Sequence, residues 1–162
     1  MKRLETTEKI IGENTFYIRP FAAFTAASIG SELAALLAPI LSNIFPSLHS
    51  EEAASGENNV FLGADIDDVL PAIANAAAYL DGKKIERMMT RLLIENDNVS
   101  VQGAATGGSV QKLTKDLADE VFCQDLTSML ALGFEVAKLN FGGMFTQLAE
   151  KARNNAAEKE TA

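Results

Sequence analysis

The chain has one cysteine, one histidine and no tryptophan in 162 residues. A lone Cys123 closes no internal disulfide, so the fold must stand on packing and hydrogen bonding. A lone His49 leaves nucleophile relays and histidine metal sites short of their usual parts. Basic residues are the minority. Fourteen Lys and Arg against 22 Asp and Glu give a net charge of −8, and such a surface repels phosphate backbones, which argues against a nucleic-acid partner. The one basic gathering, Lys83, Lys84, Arg87 and Arg91, has Asp81 and Glu86 interleaved with it. Long apolar runs are missing as well. Leu33 to Phe45 comes nearest, and it is shorter than the ~20 residues a membrane span needs. Lys2, Arg3, Glu5, Glu8 and Lys9 break any secretory core at the start of the chain. These absences together lead us to expect a soluble protein of a reducing cytoplasm, with no membrane or nucleic-acid partner.

Apolar residues make up 48% of the chain and aromatics only 7%. That mix, rich in Ala and Leu, suits close helix packing better than a β-sandwich. The length is enough for one domain that buries roughly 70% of its unfolded surface. We expect a globular domain over residues 1–148 and a flexible polar tail over 149–162.

The expected architecture is mainly α, of the α+β class: an N-terminal β-hairpin followed by about five amphipathic helices. Leu4 to Ile11 and Thr15 to Arg19 read as strands joined through Gly12-Glu13-Asn14, and Pro20 ends the second. Leu33, Leu36, Leu37, Ile40, Leu41 and Ile44 then follow a helical period, with Ser28 or Ser31 as a cap and Pro39 as a kink. Pro46 to Asn59 is polar and long, a loop expected to be mobile. A second helix is expected over Asp65 to Leu80, with acidic residues at its start. After the Asp81-Gly82 break, Ile85, Met88, Met89, Leu92 and Leu93 mark a third. Val99 to Gln102 is a candidate third strand near 99–102, and Gly103 to Ser109 reads as a flexible connector. Thr114 can cap a fourth helix running through Cys123, and Asp125 a fifth starting at Leu126. In the fifth, Leu126, Met129, Leu130, Phe134, Ala137 and Phe141 mark the expected buried side. Met144, Phe145 and Leu148 continue it if the helix survives Gly142-Gly143.

None of these segments assembles chemistry. The Asp65 to Asp68 run lacks the glycine and the closing glutamate of a calcium loop. Gly103 to Ser109 lacks the Lys-Ser/Thr ending of a phosphate loop. Cys123 beside Phe122 reads as a small buried side chain. No catalytic residue, metal ligand or cofactor-binding residue stands out, and the expectation is a binding protein rather than an enzyme. Its candidate partner-binding residues are Phe134, Phe141, Met144 and Phe145 around the double glycine, with Met88 and Met89. Each of them also has core spacing, so each serves either the fold or a partner.

The opening T-F-Y-I-R-P-F after a hairpin turn, the Leu-rich first helix and the closing F-E-V-A-K-L-N-F-G-G-M-F resemble the tail assembly chaperones of long-tailed bacteriophages. The likeness in layout extends over most of Leu4 to Leu148. It implies a protein of the infected bacterium's cytoplasm that is left out of the mature virion. It also implies that the chain binds the tape-measure protein, a very long helical chain, and recruits tail-tube protein subunits around it. Coating such a client takes many copies, which makes self-association a further candidate property. The competing reading is a structural virion subunit, such as a head–tail connector or tail-completion protein, which would lack catalytic residues equally.

Overall fold

The computed structural model describes residues 5–44, Ala78 and 80–160. The chain starts with β1 (Thr7–Ile11) and β2 (Asn14–Ile18), paired antiparallel from Thr7↔Ile18 to Ile11↔Asn14. Gly12 makes the turn possible, because its φ of 61° is left-handed and a side chain would resist it. Helix α1 (Ala23–Ile44) follows, and then α2 (Gly82–Leu93). Strand β3 (Val99–Gln102) returns to β2, with Phe16 opposite Val101 and Ile18 opposite Val99. A short β4 (Gln111–Lys112) completes a four-stranded antiparallel sheet in the order β1-β2-β3-β4. Helices α3 (Lys115–Val121) and α4 (Leu126–Glu160) close the chain.

The described residues therefore hold four helices, not the five or so expected, beside a larger sheet than the expected hairpin plus one strand. The helix expected over Asp65 to Leu80 falls almost wholly outside the described residues, as do the 46–59 loop and His49. The third strand is present at the expected residues. Gly103 to Ser109 is a built turn rather than a slack connector. A 3₁₀ turn (Ala104–Thr106) sits in it, Thr106 is buried, and its hydroxyl both donates to the Gly103 carbonyl at 3.0 Å and accepts from the Gly103 N–H at 3.1 Å.

Alternation along the strands puts one face of the sheet in the core and the other outside. Phe16, Ile18, Val99 and Val101 are almost fully buried, whereas Tyr17 lies on the other face and donates to Gln102 Oε1 at 2.9 Å. The helices supply the second layer, and Phe16 stacks on Phe122 with ring centroids 5.7 Å apart. Cys123, expected to be buried, is exposed. Helix α3 ends one residue before Phe122, so Phe122 turns into the core and its neighbour turns out.

Local chemistry sets the helix starts. The Asp81 carboxylate caps α2 by accepting the Lys83 N–H at 3.0 Å. The Thr114 hydroxyl caps α3 through the Leu117 N–H at 3.2 Å. Asp125 accepts the Ser128 N–H at 3.0 Å before α4. Helix α1 begins at Ala23, upstream of both serines considered as its cap. Its entry is held from far away instead: Asn140, on α4, accepts the Phe21 N–H at 2.8 Å. The helix is continuous through Pro39, and α4 through Gly142-Gly143 and on past residue 148.

Candidate protein-binding surface

Helix α4 is the spine against which α1 and α2 pack. Its buried line is Leu132, Val136, Ala137 and Phe141, with Met129 and Met144 partly covered at either end. Gly133 and Asn140 lie on that same face, spaced as a helix requires (129, 132, 133, 136, 137, 140, 141, 144). Met129, Ala137 and Phe141 of the expected buried side lie on this face, whereas Leu126 and Phe134, expected there too, do not. Leu126 is 61% exposed, and Phe134 is half-buried. The two glycines at the helix crossings explain how the layers come so close. A Cβ on Gly133 would lie 2.7 Å from the Met89 methyl, and a Cβ on Gly30 of α1 would lie 3.2 Å from the Phe141 ring. Phe141 also meets Phe21, with ring centroids 6.2 Å apart.

The six candidate residues therefore sit in different environments. Phe141 and Met88 are 4% exposed, inside the core. Met89 and Met144 are half-buried against it. Phe134 is also half-buried, with Lys138 Nζ 6.0 Å from its ring centroid. The Phe145 side chain lies outside what the structure describes.

Charge is concentrated between α1 and α2. Glu32 is the single charged residue of α1. One of its carboxylate oxygens takes Arg87 Nε at 3.1 Å, and the other takes Arg91. Arg91 also donates to Ser28 Oγ at 3.1 Å. Half of the basic gathering seen in the sequence is thus engaged with one carboxylate rather than forming a cationic patch. Elsewhere Lys9 of β1 meets Glu135 of α4 at 3.2 Å. Among the described residues no three His, Cys, Asp or Glu side chains gather as a metal would require. No described helix is long and apolar enough to cross a membrane.

With Glu32 tied down, the outward face of α1 carries no charged residue of its own, and the Arg91 guanidinium reaches only its edge at Ser28. Phe24, Ala27, Ser28, Ser31 and Ala35 fall on one side of the helix by their spacing. They lie opposite the buried Ile29, Gly30 and Leu33, and all five are exposed. Four of them are small, and the fifth, Phe24, is 93% exposed. Most solvent-facing helix surfaces carry Lys, Glu or Arg, so a small, uncharged face with one projecting ring is unusual for a solvated helix. Of the expected stripe on this segment, Leu33 is buried and Leu36 partly buried on the opposite side; its side chains from Leu37 on lie outside the described residues. The sequence carries the signal of the uncharged face, since one charge in 22 residues leaves most of the helix surface uncharged.

A family model described as phage tail assembly chaperone protein, TAC, matches residues 12–153, from the hairpin turn into the last part of α4. The chain belongs to the phage tail assembly chaperone family. The resemblance read from the N-terminal strand and the closing F-G-G-M-F segment thus extends over most of this chaperone. No curated protein and no solved structure matches it.

Proposed function

We propose that this chaperone holds the tape-measure protein in the host cytoplasm, brings tail-tube subunits to it, and leaves before the virion is complete. The observation that carries this reading is the uncharged outer face of α1. A long helical client has apolar stripes that must be covered until the tube encloses them. A helix face of Ala and Ser lets a second helix approach closely, and Phe24 provides a ring to seat between the client's side chains. The acidic remainder of the surface keeps such a complex dispersed in water.

In this reading Phe24 is the anchor on α1. Phe134, Met89 and Met144 extend the contact where a client reaches the flank of α4, and Met side chains adapt to varied sequences. Phe141 and Met88 contribute by holding α1 and α2 on α4. The protein acts by binding, without turnover, and several copies line one client. Co-expression with the tape-measure and tube proteins tests the reading, with a ternary complex on affinity purification as the expected result. Mass spectrometry of purified particles separates it from a structural subunit: the chaperone is absent, whereas a connector or completion protein would be present in fixed stoichiometry.

A further inference from the structure

We draw no further inference here: the strongest candidate, the edge strand β1 with Ile10 exposed on its outer face, is an unpartnered surface, and nothing among the described residues shows what covers it.

Discussion

Replacing Phe141 by alanine removes the ring that closes the crossing of α1 and α4. The ring is 4% exposed, and it lies against Gly30, which has no side chain to move into the space. Phe21 sits across the gap at 6.2 Å between centroids, and its backbone is fixed by Asn140. The site therefore cannot collapse easily, and truncation should destabilise the fold by about 3–5 kcal/mol, the range for a buried Phe with a residual cavity. With a urea slope of about 2 kcal/mol/M, the unfolding midpoint should fall by roughly 1.5–2.5 M at unchanged slope. The control is Phe24→Ala. That ring touches mostly solvent, so its loss should change stability by no more than about 0.5 kcal/mol. Urea titrations of the three proteins, followed by far-ultraviolet circular dichroism, give the comparison. A Phe141→Ala midpoint within about 0.5 M of wild type would refute the packing argument. So would a Phe24→Ala variant as unstable as Phe141→Ala.

Three further outcomes follow from the geometry. Glu32→Ala removes the carboxylate shared by Arg87 and Arg91, and because Arg91 keeps Ser28 and Glu95 and the pairs are only partly covered, it should cost about 1 kcal/mol or less. The gap between mutant and wild type should narrow in roughly 1 M salt, where screening acts within about 3 Å. Gln124 has a left-handed φ of 62°, so Gln124→Gly should raise the thermal midpoint, by up to about 1 kcal/mol in stability terms. An unchanged or lower midpoint would count against strain there. Hydrogen bonds from the Ser128 hydroxyl, chiefly, and from its N–H hold the Asp125 carboxyl below its ordinary value of 3.8. A depressed carboxylate stabilises the fold above its unfolded pKa and loses that contribution as pH falls through the folded one. The thermal midpoints of wild type and Asp125→Asn should therefore keep a constant difference near neutrality and draw together below about pH 4; parallel curves down to pH 2.5 would contradict this.

Local chemistry made part of this fold legible. Gly12 marked the hairpin, Thr114 and Asp125 marked helix starts, and the Val-Ser-Val-Gln alternation marked β3. Strand β4 carries no such mark, because it is two residues long and Gln111 and Lys112 are both exposed, with no apolar alternation. The buried face of α4 is turned from the expected one toward Leu132 and Val136, because Gly133 and Asn140 share it. An apolar count skips both, although one admits Met89 and the other holds the start of α1. That long-range hydrogen bond also explains why α1 starts before any local cap. Its neighbour Phe122 makes Cys123 read as buried, but the early end of α3 puts the two on opposite sides. The candidate surface was legible only in the negative: the absence of charge along α1 meant more than the position of its leucines.

The most direct measurement is the affinity of the purified chaperone for the tape-measure protein, compared between wild type and a Phe24→Ala, Ala27→Glu double variant matched for urea midpoint. The outer face of α1 as the docking surface predicts tight binding by wild type and at least about a tenfold loss in the variant, near 1.4 kcal/mol. Equal affinity for the two proteins, or no binding by the folded wild type, would contradict it.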